Sequence, residues 1–262
     1  MTRASAPPRR PAGEERHPRD LAFAPGPPLR VLHIEGGPTL VVLSIAWLRR
    51  RGPAMRTAME SQHLSAPEAA HARKLVLPKR RLDWFAGRLA VKSAVADHSW
   101  RHFDTRVRTR DVPVEVETKG LRAGKPHVGL PLGIGLAHSG DFAVAACGPH
   151  TIGVDLERDR PMGPHFADLL AVPSAVEPGA RRRLEDMPLP LRWACKEAVL
   201  KAFGFGLRFD PREVRLTNWR PDGGFTWRLG PELAAYAPPG DSGSYRSLAR
   251  ETDGYAFALV WR

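Results

Sequence analysis

Cysteine is almost missing from this chain. Cys147 and Cys195 are the only two in 262 residues. Both lie in apolar surroundings, so the sequence offers neither a disulfide framework nor a cysteine-ligated metal site. Long apolar runs are missing too. The longest, TLVVLSIAWL at 39–48, is too short to span a bilayer and reads as a core strand. The opening MTRASAPPRRPAGEERHPRD has no apolar stretch of the kind a secretory signal needs, which makes a cytoplasmic protein with no membrane partner the expectation. Acidic residues are the scarce charge: 28 Asp and Glu stand against 40 Lys and Arg, a formal net charge of +12. That balance asks for an anionic partner, whether nucleic acid, membrane surface, phosphorylated small molecule or acidic protein, and composition does not choose among them.

A hydrophobic content of 42% is enough for one large domain or two small ones. Residues 1–28, rich in Pro, Arg and Ala, read as a disordered leader. SAPEAAHARKLVL (65–77) opens on a capping residue and predicts a short helix. PKRRLDWFAGRLAVK (78–92) spaces Leu82, Phe85 and Leu89 as one apolar helical face, with Arg81, Arg88 and Lys92 opposite. Strands are expected at VPVEVETK (112–119), in a hairpin over 133–148 broken at Ser139-Gly140, and at 151–157. Residues 161–190 look irregular. A strong helix follows, LRWACKEAVLKAFGFGL, closed by Gly204 and Gly206, and EVRLTN, GFTWRL and GYAFALVW are candidate closing strands. Each half thus pairs a helix with several strands, an α+β pattern.

The chemistry concentrates in GVDLE, residues 153–157. On a strand, Ile152, Val154 and Leu156 share one face while Asp155 and Glu157 share the other, about 7 Å apart. Two such carboxylates repel unless a cation sits with them. In the late helix Glu197 and Lys201 are four apart on one face, with Lys196 adjacent. Separately, these are a solvated strand face and an ordinary surface ion pair. Together, three carboxylates offer oxygen ligands to Mg²⁺, and the lysines suit a polyphosphate.

GVDLE followed about forty residues later by WACKEAVLKAFGFGL resembles the paired signatures of the 4′-phosphopantetheinyl transferases, a G-[IV]-D-x-E strand and a W-x-x-K-E-[AS]-x-x-K helix. GKP (124–126), AHSG (137–140) and PKRRLDWFAGRLAVK match upstream in type and order, so the resemblance covers roughly residues 75–262. Chain length resembles the monomeric Sfp-like branch. The resemblance implies an α+β fold of two pseudo-symmetric halves, 29–148 and 149–262, with the active site between them. It implies transfer of the phosphopantetheine arm of coenzyme A to a serine of an apo carrier protein, releasing adenosine 3′,5′-bisphosphate. It assigns Asp155, Glu157 and Glu197 to Mg²⁺, Glu197 also to the serine proton, and Lys201 to the charge on the breaking pyrophosphate. Lys196 would bind phosphate nearby, His138 the 3′-phosphate of coenzyme A, and Lys125 and Pro126 the adenine and phosphate. Arg81, Arg88 and Lys92 would close over the nucleotide end. Ala137 departs from the serine common in the family. Acidic acyl or peptidyl carriers would account for the basic charge. The alternative is a basic nucleic-acid-binding protein without enzymatic activity, favoured by the charge and seven tryptophans but opposed by the acidic cluster.

Overall fold

The computed structural model describes residues 20–237 and 242–262. The expected leader therefore lies outside the described residues as far as residue 19. Its last part is not a free tail: Leu21 and Phe23 are buried, with Phe23 packed on the rings of Phe142, Tyr255 and Phe257.

The first half runs β1 (Leu29–His33), β2 (Thr39–Ser44), α1 (Ile45–Arg49), α2 (Pro53–His63), α3 (Ala66–Lys74), α4 (Pro78–Phe103), β3 (Val114–Val116), β4 (Pro126–Val128), β5 (Gly133–Ser139) and β6 (Phe142–Gly148). The second runs β7 (Ile152–Arg158), α5 (Pro164–Leu169), α6 (Pro178–Asp186), α7 (Leu189–Phe203), β8 (Val214–Trp219), β9 (Phe225–Leu229), α8 (Pro231–Ala234), β10 (Arg246–Thr252) and β11 (Tyr255–Trp261). Two antiparallel sheets carry the fold, one in the order β1-β2-β6-β5 and one in the order β10-β11-β7. β3–β4 and β8–β9 are separate hairpins.

Each sheet has a long helix on one face. Phe85, Leu89 and Val95 of α4 pack on Val41, Leu43 and Ala145. Ala198, Val199 and Ala202 of α7 pack on Ala256, Ala258 and Val260. The two remaining faces bury each other, with Leu40, Val42 and Val144 against Val154, Leu156, Phe257 and Leu259. The layers are helix, sheet, sheet, helix, and the expected α+β class is the observed one.

Local chemistry explains the boundaries. Ser44 ends β2 because its Oγ accepts from the N–H of Trp47 at 3.1 Å and caps α1, so the run at 39–48 is a strand and then a helical turn. α3 begins with a capping box in which the Ser65 N–H donates to Glu68. α7 has a proline in its first turn and stops at Gly204, whose φ of +86° lets its N–H reach the carbonyls of Leu200 and Lys201. Residues 161–190, expected to be irregular, form α5 and α6. The strand expected at 112–119 is only Val114–Val116.

β7 is the strand that matters. Its even positions face the other sheet, as the alternation predicts. Its odd face is not solvated, because α7 lies on it. Gly153 makes that approach possible: a Cβ there would stand 1.9 Å from the carbonyl oxygen of Ala198.

Candidate active site

β7 and α7 press Asp155, Glu157, Glu197 and Lys201 into one wall of a cleft of about 640 Å³. Asp155 is only 3% exposed. A buried carboxylate on a strand covered by a helix must have a partner, and it has one: Lys201 Nζ donates to Asp155 Oδ1 at 2.5 Å and stands 3.9 Å from Glu197 Oε2. The cation that the strand's paired carboxylates call for is, in this structure, the Lys201 ammonium. Trp193, one turn before Glu197, donates its indole N–H to Glu157 Oε1 at 3.2 Å and is itself held edge-on by Phe166 of α5.

Burial and mutual repulsion set the protonation of the cluster. Burial pushes the Glu197 carboxyl up to about 7, with Lys201 opposing and Asp155 and Glu157 adding to the rise. Glu157 is raised by burial and then by Asp155. Burial pulls Lys201 down, but Asp155, Glu197 and Glu157 outweigh it and hold the amine above its ordinary value.

The facing wall comes from the first half. His138 at the end of β5, Lys125 and Pro126 before and within β4, and Arg88 of α4 line it. Burial lowers His138, while Asp83 is the leading charge that opposes the fall. Burial, then Arg122, lowers Lys125. The Arg88 guanidinium lies 5.2 Å from the ring centroid of Trp84, and its Nε is buried without a hydrogen-bond partner. Gly204 serves both walls, since a Cβ there would stand 2.7 Å from Lys125 Cδ.

Three residues expected at the cofactor are committed elsewhere. Lys92 is 0% exposed, pairs with Glu68 at 2.7 Å and donates to the carbonyl of Val112 at 2.7 Å. Arg81 pairs with Glu60 of α2. Lys196, buried on another side of α7 from Lys201, donates to the carbonyl of Pro211 at 3.0 Å, and burial lowers its amine to about 8. None of the three lines the cleft. The helix face bearing Arg88 and Lys92 is not solvated, because α3 brings Glu68 onto it. Sequence reasoning also passed over Asp83, Trp84 and Arg208, all of which line the cleft. Trp193 carried one signal, its place one turn before Glu197.

Among the described residues no three His, Cys, Asp or Glu side chains are grouped as a ready metal-binding set. The donors still suit a divalent cation: Asp155 Oδ2 and Glu197 Oε1 are buried oxygens without hydrogen-bond partners, and hard cations take oxygen ligands. No helix among the described residues is long and apolar enough to cross a membrane.

A comparison with curated proteins finds no match. A family model does match: residues 151–260, which contain β7, α7 and all four residues of the first wall, fit the 4′-phosphopantetheinyl transferase superfamily, and the fit supports a transferase that moves a phosphopantetheine group.

Proposed function

We propose that the protein transfers the 4′-phosphopantetheine arm of coenzyme A to a serine of an apo acyl or peptidyl carrier protein, as a monomer of the Sfp-like branch working in the cytoplasm. One observation carries the reading. A wall of three carboxylates and a lysine faces a wall bearing Arg88, Lys125 and His138 across a cleft large enough for a nucleotide-sized ligand. The acidic wall suits the reacting pyrophosphate and its metal. The basic wall suits the phosphorylated nucleotide end.

Asp155, Glu157 and Glu197 would hold Mg²⁺, which supplies charge neutralisation to the pyrophosphate when bound. The chain's own residues do the rest. Glu197, whose carboxyl titrates near neutrality, accepts the serine hydroxyl proton as the serine oxygen bonds to the phosphorus next to pantetheine. The bond from that phosphorus to the bridging oxygen breaks, and adenosine 3′,5′-bisphosphate leaves with the electron pair. Lys201, charged throughout the neutral range, steadies the oxygens that gain charge. Trp193 fixes the Glu157 carboxylate, and His138 and Lys125 orient the nucleotide so that the attack is in line. The nucleic-acid alternative gains nothing from an acidic cleft wall.

Incubation of the protein with coenzyme A, Mg²⁺ and a panel of apo carriers tests the reading by mass spectrometry. A phosphopantetheine mass gain on at least one carrier is expected, and E197Q should abolish it with the fold intact. Unchanged masses across the panel refute the proposal.

A further inference from the structure

The cleft contains a carboxylate that the transfer step leaves without a task. Asp83, on the second turn of α4, lines the cleft beside Trp84, Arg88 and His138 and is 8% exposed. Its Oδ2 accepts from Lys79 Nζ at 2.6 Å, one turn earlier on the helix. Its Oδ1 is buried and has no hydrogen-bond partner among the described residues. An unsatisfied buried acceptor costs about 1–3 kcal/mol, and more when it is charged. An acceptor held in that condition on the wall of a ligand cleft points to a donor that arrives with the ligand.

The neighbours say what kind of donor. A carboxylate repels phosphate, so Asp83 does not face one directly. Yet the imidazole beside it, His138, is placed to meet an anion, and Asp83 is the charge that acts on it most strongly. A cation and an acceptor side by side fit a ligand with an anion and a neutral hydroxyl side by side. On a ribose that carries a 3′-phosphate, the hydroxyl on the adjoining carbon is the 2′-OH. Acidic side chains read ribose hydroxyls in the same manner in dinucleotide sites.

We propose that Asp83 is a specificity-determining residue whose Oδ1 accepts a hydrogen bond from the ribose 2′-hydroxyl of the cosubstrate, next to the 3′-phosphate held at His138. This rests on the coenzyme A reading above and adds to it a selection of ribonucleotide over deoxyribonucleotide ends. Lys79 has a supporting part only: 81% of its side chain is exposed, and its ion pair is with Oδ2, which leaves Oδ1 unpartnered.

Titration calorimetry of the full chain with two probes tests this, adenosine 3′,5′-bisphosphate and 2′-deoxyadenosine 3′,5′-bisphosphate. The unaltered protein should bind the ribose form about tenfold or more tightly, the scale of one hydrogen bond to a charged acceptor. D83A should bind both within about twofold. K79A, which removes the ion pair and leaves the acceptor, should keep the full preference. Equal binding of the two probes by the unaltered protein overturns the inference without any variant. So does a preference that survives D83A, or one lost equally in K79A. Failure of the unaltered protein to bind either probe overturns the coenzyme A reading itself, an outcome distinct from equal binding of both.

Discussion

Replacing Lys201 by Met removes the ammonium paired with Asp155 inside a buried acidic cluster and keeps most of the side chain's volume. Asp155 Oδ1 then loses its donor at 2.5 Å, while Oδ2 already has none. Glu197 loses the charge that opposes the rise of its carboxyl. Removing one partner of a buried ion pair costs about 3–5 kcal/mol. Solvent reaches 32% of the Lys201 side chain, which puts the loss at the lower end, about 3 kcal/mol. The loss should depend on pH, and the sign follows from linkage. In K201M the Glu197 carboxyl, already raised by burial and now without the opposing Lys201 charge, binds its proton more tightly when folded than when unfolded. A carboxyl with a raised folded value costs little below its unfolded value and more as the pH climbs through the folded one. The Lys201 amine is raised in the unaltered protein, so its contribution is complete at every pH below the unfolded value. The stability gap between the two proteins should therefore be small near pH 5 and widest near pH 8. Urea unfolding followed by tryptophan fluorescence, with a chelator present, measures it at both pH values. A gap under about 1 kcal/mol at pH 8, or one of equal size at both, refutes the reasoning.

Gly153→Ala should cost about 3 kcal/mol or more, read as a lower thermal midpoint, because its Cβ would meet helix backbone at 1.9 Å. Lys92→Met should destabilise by about 3–5 kcal/mol because Glu68 keeps its Ser65 cap but loses its ammonium, and a companion Glu68→Met should recover part of the loss, less what the cap contributes. Coenzyme A affinity of folded K92M should stay within about twofold, since Lys92 is away from the cleft; a tenfold loss would restore it to the binding site. His98 is lowered to about 4 by burial, then by His102 and His33, with Asp97 opposing. A histidine depressed on folding stabilises above its unfolded value of 6.5 and loses that contribution as the pH falls through 4, here about 3 kcal/mol. Stability measured from pH 7 to pH 4 should show this slope, and H98Q should flatten it.

What could be read beforehand was local. The alternation of Ile152, Val154 and Leu156 placed Asp155 and Glu157 on one strand face. The four-residue step from Glu197 to Lys201 placed both on one helix face, and Gly204 marked the stop. What escaped depends on distant partners. β10, RSLARET, reads as a charged segment and becomes a strand only by its full pairing with β11. Lys92 has the spacing of a solvated helix residue, and only the return of α3 with Glu68 buries it. Residues 161–190 look irregular because their helices are short and start on prolines. Asp83 reads as an ordinary i,i+4 partner of Lys79, and its place on the cleft wall with one buried, unpartnered oxygen is set by packing that no sequence pattern reports.

The two walls of the cleft come from opposite sides of the link between β6 and β7, and what clamps them together is the oily double layer of Val42, Val144, Val154, Leu156 and Phe257. A proteolytic nick in the exposed link at Pro149 and His150 would leave that layer whole, so the two pieces should stay associated and competent. Expressed apart, each piece would carry a bare greasy sheet and half a reaction chamber. Recombining them would make recovered turnover a gauge of how well the seam has closed.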